Sequence, residues 1–210
     1  GAGGVLIVWE DGRLGQSNLD IYGLHLRADG TRVDSWPENG LGICTADQSQ
    51  GVPLVVSDGD GGFLVAWGDY RNGLNEVFGQ RLLMSGEVAS GWPVDGRLMI
   101  PDGGGGRSHT HLVPDGTGGA YYGWELHHGP FAFDNDVYTL RVLSDGTVAP
   151  GWPAAGYPVS TRPSTQYLTG MVADGTGGVL MAWYDNQEQP SVAFVQRLAP
   201  GGAPALGWPA

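Results

Sequence analysis

Histidines are concentrated in one stretch of the chain, where their spacing suits metal binding. Four of the five histidines lie between His109 and His128. His109 and His111 alternate on a predicted strand, so both side chains project from one face and could hold a zinc ion together with His127, His128 or Glu125. Against this, the two pairs are expected at opposite ends of the following strand, roughly 17 Å apart. A zinc site and a set of unconnected surface histidines therefore both remain open.

The acidic residues suggest a binding site for a second metal, calcium. Asp134 and Asp136 flank Asn135, and their side-chain oxygens are the hard ligands that calcium accepts. Other aspartates lie in glycine-rich turns: Asp58, Asp60, Asp115 and Asp174. An aspartate that opens such a turn commonly accepts hydrogen bonds from its own backbone amides. We favour this capping role for the turn aspartates, which leaves Asp134 and Asp136 as the better calcium ligands.

The loop that follows three of the tryptophans carries polar residues that could bind a sugar. Its copies are Glu10-Asp11-Gly12-Arg13, Gly68-Asp69-Tyr70-Arg71 and Tyr184-Asp185-Asn186-Gln187. In the second copy, Asp69, Arg71 and the neighbouring Tyr70 could grip a sugar through paired hydrogen bonds and stacking. The alternative is a salt-bridged turn that holds neighbouring repeats in register, and we favour this structural role.

One region is denser in aromatic side chains than any other. Its members are Tyr121, Tyr122, Trp124, Phe131 and Phe133. If one part of the chain is specialised for a ligand, we expect it here, with five contacts in addition to the Asp69, Tyr70 and Arg71 loop: Tyr122, Trp124, Glu125, His127 and His128.

Catalytic signatures are weak by comparison. Glu125 and Asp136 could serve as a pair of carboxylates for acid–base hydrolysis of a glycoside, provided that the fold brings them together. For nucleophilic catalysis there is no G-x-S-x-G elbow, and Cys44 has no neighbouring base in the sequence. A hydrolase is therefore the alternative to a binding function rather than the first choice.

All of these residues belong to a unit that occurs four times. A Gly-Gly pair opens each copy, an apolar run leads to a tryptophan, a second apolar run carries an aromatic residue, and a Trp-Pro pair closes the unit. The closing pairs are Trp36-Pro37, Trp92-Pro93, Trp152-Pro153 and Trp208-Pro209, and equivalent basic positions hold His25, Arg81, Arg141 and Arg197. The period of roughly 58 residues signals a stacked or radial array. Because all eight tryptophans have a place in the repeat, they are framework candidates first.

The apolar runs and turns predict short antiparallel strands. In the second copy we expect strands at Pro53–Ser57, Phe63–Trp67, Val77–Leu83 and Arg97–Ile100. The first copy lacks the leading strand, the fourth lacks the outer strand, and the third contains an expanded middle loop over residues 125–136. The prediction is an all-β fold, a β-propeller of about four repeats with four short antiparallel strands per blade and incomplete terminal blades. We expect a single domain over residues 1–210, with repeats at about 1–52, 53–109, 110–167 and 168–210.

The net charge limits the classes of partner that the chain can bind, and the single cysteine limits its covalent chemistry. The formal net charge of -12 repels phosphate backbones and anionic lipid surfaces, so we expect neither nucleic acid nor membrane partners. No stretch is long enough to span a bilayer. Cys44 is the one cysteine and forms no internal disulfide, and its short apolar run indicates a buried, inert thiol.

The repeat resembles one found in secreted bacterial proteins of β-propeller type, where it forms long tandem arrays. The resemblance rests on DGxGGxxVAWxDxR, on an aromatic-G-Q-R strand and on a WPxxG closure, and it covers essentially the whole chain. It implies an extracellular location and a propeller architecture, and it brings no catalytic signature. The third copy departs from the pattern, because Glu125-Leu126-His127-His128 replaces the segment that contains Asp69 and Arg71.

Together these observations predict a non-enzymatic, extracellular binding or structural module. Its partner would be a glycan or a protein surface, contacted through the loops, and the chain could form a homo-oligomer or belong to a longer array. We expect no obligatory cofactor, with calcium or zinc as the open alternatives. The competing hypothesis is a glycoside hydrolase or a metal-dependent hydrolase with its site in the third repeat.

Overall fold

The structure is a computed structural model that describes residues 4–15, 18–100, 106–128, 134–186 and 190–209, with the backbone alone for residues 106–110. Its regular structure consists of β-strands in four antiparallel sheets of three or four strands. The all-β prediction is thereby confirmed. Within these residues no helix is long and apolar enough to cross a membrane. The chain divides into two compact units, Gly1–Met99 and Ile100–Ala210.

The first unit contains two sheets. The first sheet has the order β1-β2-β3, and its strands are β1 (Gly4–Asp11), β2 (Asp20–Arg27) and β3 (Leu41–Cys44). The second sheet has the order β4-β5-β6-β7, and its strands are β4 (Gln50–Ser57), β5 (Gly62–Asp69), β6 (Glu76–Leu83) and β7 (Arg97–Leu98). Each strand predicted for the second copy is present. β4, β5 and β6 extend by one to three residues beyond the predicted ends, whereas β7 ends at Leu98, two residues before the predicted Ile100.

The second unit also contains two sheets. The third sheet has the order β11-β10-β9-β8, and its strands are β8 (Gly106–Pro114), β9 (Ala120–His127), β10 (Asn135–Val142) and β11 (Tyr157–Ser160). The fourth sheet has the order β12-β13-β14, and its strands are β12 (Gln166–Ala173), β13 (Val179–Asp185) and β14 (Val192–Leu198). Four strands therefore occur in the second and third sheets, and three in each terminal sheet.

The middle hairpin of the third repeat is longer than predicted. The sequence places residues 125–136 in a loop, but β9 continues to His127 and β10 begins at Asn135, where the two residues pair. Leu126 likewise pairs with Asp136. Cross-strand pairing therefore extends the hairpin through polar residues whose own strand propensity is low, because strand propensity depends strongly on context.

Tryptophans form the centre of the packing in each unit. Trp36, Trp67 and Trp124 are 0, 1 and 1% exposed. In the first unit, residues from both sheets form one apolar core: Leu6, Ile21, Trp36, Ile43, Cys44, Val65, Trp67, Phe78 and Leu82. The assignment of these tryptophans to the framework agrees with their burial.

The single cysteine lies in this core. Cys44 is fully buried, and burial raises the pKa of its thiol to about 12. Because the thiolate is the reactive form of cysteine, the side chain is inert near neutral pH. The expectation of a buried, inert thiol therefore agrees with the structure.

Candidate functional site

In each of the first two repeats, the tryptophan and two residues of the loop that follows it form a hydrogen-bonded cluster, which we call the framework triad. The first framework triad is Trp9, Asp11 and Arg13, and the second is Trp67, Asp69 and Arg71. In the second repeat, the indole N–H of Trp67 donates to Asp69 Oδ2 at 2.9 Å. Arg71 Nε and Nη2 donate to the two oxygens of the same carboxylate at 2.9 and 2.6 Å. The first repeat has the same three bonds, at 3.0, 2.8 and 2.6 Å.

The second framework triad has little capacity left for a ligand. The side chain of Asp69 is 0% exposed and that of Arg71 is 21% exposed. Arg71 Nη2 also donates to the carbonyl oxygen of Asp95 at 2.7 Å and to Cys44 Sγ, in the first sheet, at 3.1 Å. Tyr70 remains 47% exposed. This is the geometry of a salt-bridged turn that links neighbouring sheets, the role favoured over sugar binding.

A second recurring ion pair, which we call the turn clamp, holds the turn that precedes the Gly-Gly pair. Its members are Asp58–Arg81, Asp115–Arg141 and Asp174–Arg197. Asp115 Oδ1 accepts the backbone N–H groups of Thr117 and Gly119 at 2.8 and 2.9 Å. Arg141 Nε donates to Oδ2 at 2.9 Å. Asp58 and Asp174 accept backbone N–H groups of their turns in the same way, and a guanidinium contacts the other carboxylate oxygen of each of the three. The fourth turn aspartate, Asp60, caps no turn that the structure describes, and its side chain is 88% exposed.

Stability is expected to fall in acid as the turn clamps become protonated. Burial raises the pKa of Asp115, but the Thr117 backbone N–H and the Arg141 guanidinium outweigh burial and hold that pKa below its usual range. Such a carboxylate stabilises the fold above its unfolded pKa of about 3.9, and the contribution is lost as the pH falls through the lower folded pKa. Urea unfolding measured at a series of pH values should show this loss below about pH 4.

A variant of the clamp tests this assignment. Asp115→Asn is expected to lower the free energy of unfolding at neutral pH by roughly 1–3 kcal/mol, because Arg141 loses its charged acceptor. The variant should also show a shallower loss of stability below about pH 4 than the unmodified protein. An identical pH dependence in both proteins would contradict the role given to Asp115.

The third repeat lacks a framework triad and places a different pair at that position. When the repeats are aligned by their tryptophans, Leu126 takes the place of Asp69, and His128 takes the place of Arg71. His128 Nε2 lies 2.7 Å from Asp136 Oδ2. The Asp136 side chain is 9% exposed, whereas the His128 side chain is 46% exposed. In this pair, which we call the dyad, a buried carboxylate fixes an imidazole that is half open to solvent.

Hydrogen bonds connect the dyad loop to the fourth sheet. The backbone N–H of His128 donates to the carbonyl oxygen of Asp134 at 3.4 Å, and Asp134 Oδ1 accepts the backbone N–H of Ser164 at 3.3 Å. The hydroxyl of Ser164 donates to Asp185 Oδ1. The predicted calcium ligands Asp134 and Asp136 thus contact Ser164 and His128 respectively. Ser164 and Asp185 were not predicted as a pair, because only the fold brings the end of β13 beside the loop that precedes β12.

The histidines of the third repeat lie on one hairpin but not at one point. Because β8 runs antiparallel to β9, Gly106 pairs with His127 and His111 pairs with Gly123. The expectation that the leading strand and the middle loop lie at opposite ends was therefore wrong, since the start of β8 lies beside the end of β9. His111 is nevertheless four strand positions from His127, or about 13 Å. The side chain of His109 lies outside the described residues.

The described side chains form no preorganised metal site. Among the side chains that the structure describes, no three histidine, cysteine, aspartate or glutamate residues are grouped so that they could hold a metal ion. Zinc at His109 and His111 and calcium at Asp134 and Asp136 therefore stay predictions from sequence.

Tyr122 and Trp124, which were predicted to contact a ligand, are buried. Trp124 is 1% exposed and Tyr122 is 3% exposed. The ring of Trp124 stacks on Tyr138, with 5.8 Å between the ring centroids. Phe131 and Phe133 lie outside the described residues. Neither Tyr122 nor Trp124 offers an open face to a sugar.

Glu125 has a structural contact that also occurs in the first unit. Its side chain is buried, and Oε1 accepts the backbone N–H of Leu168 at 2.9 Å, where a bulge interrupts the pairing of β12. Glu10 reaches the backbone N–H of Val52 in the same way at 2.6 Å. The signal in the sequence is a glutamate directly after the tryptophan in the first and third repeats. Glu125 is therefore committed to joining two sheets.

Comparison with known proteins gives structural similarity only. No protein-family model matches the chain, and no curated protein matches its sequence. A puromycin hydrolase mutant complexed with PGG superimposes with a TM-score of 0.56 and 17% identity, over 98% of this chain and 30% of that one. A second puromycin hydrolase structure gives a TM-score of 0.54 and 19% identity, over 98% and 31% of the two chains. The chain thus spans less than a third of the length of puromycin hydrolase.

A third solved structure is matched over more of its length. The endo-arabinase from Bacteroides thetaiotaomicron VPI-5482 superimposes with a TM-score of 0.50 and 12% identity, over 97% of this chain and 76% of that one. At these identities the likeness concerns the fold alone. Since these neighbours are β-propeller-like, the chain is an all-β protein of propeller-like sheets.

Proposed function

We propose that the chain is an extracellular binding module of β-propeller type, which binds a glycan or a protein surface at the dyad in its second unit. One observation carries the proposal. In the first two repeats this position holds an arginine that is ion-paired with the aspartate two residues before it. In the third repeat it holds His128, which Asp136 positions and which is half exposed to solvent. The third repeat has exchanged a framework contact for a positioned polar group.

Positioning favours binding because it lowers the entropy that a ligand contact must overcome. The contact of 2.7 Å with Asp136 fixes the ring of His128, and the backbone bond to Asp134 fixes its loop. An imidazole can donate or accept a hydrogen bond, while the neighbouring carboxylates accept. This combination suits the hydroxyl groups of a neutral glycan, and the net charge of -12 disfavours an anionic one.

A glycan array probed with labelled protein, followed by calorimetry on any hit, tests the proposal. His128→Ala is expected to weaken binding at least about tenfold, the loss of roughly 1.4 kcal/mol. Tyr70→Ala removes the exposed aromatic residue of the framework loop in the second repeat and should leave the affinity unchanged. If Tyr70→Ala abolishes binding and His128→Ala does not, the ligand site lies in the second repeat and the proposal fails.

A hydrolase remains the second candidate, because a buried carboxylate that orients a half-exposed imidazole is also a general-base arrangement. Two of the named structural neighbours are a puromycin hydrolase and an endo-arabinase, so puromycin and arabinan are the first substrates to assay. If this candidate is correct, His128→Gln and Asp136→Asn each reduce turnover by roughly 100-fold or more. The complete absence of turnover by the unmodified protein would leave the binding function alone.

A further inference from the structure

The fourth repeat, like the third, has no complete framework triad. In the alignment by tryptophans, Trp183 and Asp185 hold the first two positions, but Gln187 stands at the third, where the first two repeats have arginine. The buried indole N–H of Trp183 has no hydrogen-bond acceptor within the described part of the chain. Asp185 Oδ1 instead accepts the hydroxyl of Ser164. The carboxylate of this repeat has therefore exchanged its contact with the tryptophan for one with a neighbouring loop.

An arginine from that loop takes the place of the missing one. Arg162 lies between β11 and β12, and its Nε is 3.7 Å from Asp185 Oδ2. Its guanidinium carbon lies 5.2 Å from the centre of the Phe194 ring. In the second framework triad, the guanidinium carbon of Arg71 lies 4.1 Å from the centre of the Phe78 ring, and Phe78 holds the same repeat position as Phe194. The fourth repeat thus pairs its aspartate with an arginine that aligning the repeats does not identify.

The pair of Arg162 and Asp185 has the same pattern of exposure as the dyad. The Asp185 side chain is 3% exposed and the Arg162 side chain is 46% exposed. In the dyad the values are 9% for Asp136 and 46% for His128. In both pairs a buried carboxylate contacts a half-exposed side chain that can donate hydrogen bonds to a ligand. The second unit therefore presents two polar groups that buried carboxylates position.

An exposed carboxylate joins the two pairs. Asp134 is exposed, and its carbonyl oxygen accepts the backbone N–H of His128 at 3.4 Å. Its Oδ1 accepts the backbone N–H of Ser164 at 3.3 Å. Ser164 follows Arg162 by two residues, at most about 7 Å along an extended chain. His128, Asp134 and Arg162 are therefore neighbours in that order where the loops of the third and fourth sheets meet, and we call them the polar row.

The chemistry of the polar row suits hydroxyl groups. A carboxylate only accepts hydrogen bonds, whereas a guanidinium offers five N–H donors in a planar fork. A hydroxyl group can donate to Asp134 and accept from Arg162 or His128, and adjacent hydroxyls of a sugar can do both. An acidic sugar would instead place its own carboxylate beside Asp134, in a chain whose net charge is -12. The row therefore favours a neutral sugar over an anionic one.

We infer that the polar row binds successive hydroxyl groups of a neutral oligosaccharide, which extends from the dyad to Arg162. This inference rests on the proposed function, because it takes the dyad as one end of the site. Asp185 has the same task at Arg162 that Asp136 has at His128, which is to hold a donor in place before the ligand arrives. An oligosaccharide reaches both ends of the row and makes more of these contacts than a single sugar ring.

Calorimetry with neutral hexasaccharides of glucose, mannose, xylose and arabinose, and with the four single sugars, tests the inference. A hexasaccharide that binds is expected to do so at least about tenfold more tightly than its single sugar, because only the longer molecule reaches both ends. Equal affinities would overturn the inference, and so would the failure of every hexasaccharide to bind. A hexasaccharide of galacturonic acid that bound more tightly than all the neutral ones would overturn the choice of a neutral ligand.

Two variants test the row itself. Arg162→Met keeps the apolar stem beside Phe194 and removes the guanidinium. Asp134→Asn keeps an oxygen for the Ser164 N–H and replaces the other carboxylate oxygen with a donor. Each is expected to weaken binding of the hexasaccharide about tenfold or more, because each removes a charged partner of its hydroxyl groups.

A matched arginine separates contact from charge. Arg27 is ion-paired with Asp34 in the first sheet, its side chain is 42% exposed, and it lies outside the polar row. Arg27→Met should therefore leave the affinity unchanged, and a loss equal to that of Arg162→Met would mean that only net charge matters. If His128→Ala weakens binding while Arg162→Met and Asp134→Asn do not, the proposed function stands and this inference fails. If binding is indifferent to His128→Ala, the proposed function fails as well.

Discussion

Replacing Asp69 with alanine is expected to lower the free energy of unfolding by about 3–5 kcal/mol, the cost of removing one partner from a buried ion pair. The carboxylate is fully buried and accepts hydrogen bonds from Trp67 and Arg71. Without it, the indole N–H loses its acceptor inside the core. The guanidinium of Arg71 then retains only Asp95 and Cys44 as polar neighbours among its described contacts. Urea denaturation followed by tryptophan fluorescence measures the change.

The first repeat supplies a matched control in more open surroundings. Asp11→Ala removes the same carboxylate from the same three bonds, but the side chains of Asp11 and Arg13 are 12 and 38% exposed. The hydrogen bonds from Arg13 hold the pKa of Asp11 well below its usual range, so the pair does form. Water can replace part of that pair, and we expect a clearly smaller loss than for Asp69→Ala. Equal losses in the two variants would show that burial does not set the cost.

The strands could be predicted because local pattern determines them. The sequence predicts strands at Phe63–Trp67 and Val77–Leu83, and the structure has Gly62–Asp69 and Glu76–Leu83. Apolar runs and Gly-Gly turns are properties of neighbouring residues, which a single sequence displays. The ends were missed because polar residues such as Asp69 and Glu76 pair across the hairpin, and pairing is a property of two strands.

The candidate site was less predictable because it depends on contacts between distant residues. His128 and Asp136 both stood among the candidates, but as ligands for different partners rather than as one pair. Their contact follows from the register that places Leu126 opposite Asp136. Glu125 was expected to contact a ligand, and its burial could not be read from the sequence because its partner is a backbone N–H in another sheet. Residues that recur in each copy of the repeat can be assigned to the framework from the sequence. Where one copy carries a different residue, as at His128, only the fold shows what that residue contacts.

The structure explains why the closing motif of the repeat ends in a glycine. Its WPxxG pattern ends in a glycine three residues after proline, and in the second repeat this is Gly96. A Cβ on Gly96 would lie 2.5 Å from the ring of Trp67, the tryptophan of the framework triad, and 2.9 Å from the carbonyl oxygen of Gly79. The glycine therefore permits the close approach on which the position of the indole N–H, and hence its bond to Asp69, depends.

Gly96→Ala is accordingly expected to lower the free energy of unfolding by roughly 2–5 kcal/mol. Two costs add. The backbone of Gly96 is left-handed, with φ of 82°, which disfavours any residue with a Cβ, and the new methyl group collides with a ring that is 1% exposed and has no room to move. Denaturation in urea gives the total, and the near-ultraviolet circular dichroism of Trp67 should change as its ring is displaced.

Gly73→Ala separates the two costs. Gly73 has the same φ of 82°, but no described atom lies within 4 Å of its Cβ position. Gly73→Ala should therefore lower the free energy of unfolding only by the backbone strain, about 1–2 kcal/mol. The difference between the two variants then measures the collision with Trp67. If Gly96→Ala were no more destabilising than Gly73→Ala, the core around Trp67 would have to be loose enough to accept a methyl group. The tight packing inferred for the framework triad would then be wrong, and with it the large loss expected for Asp69→Ala.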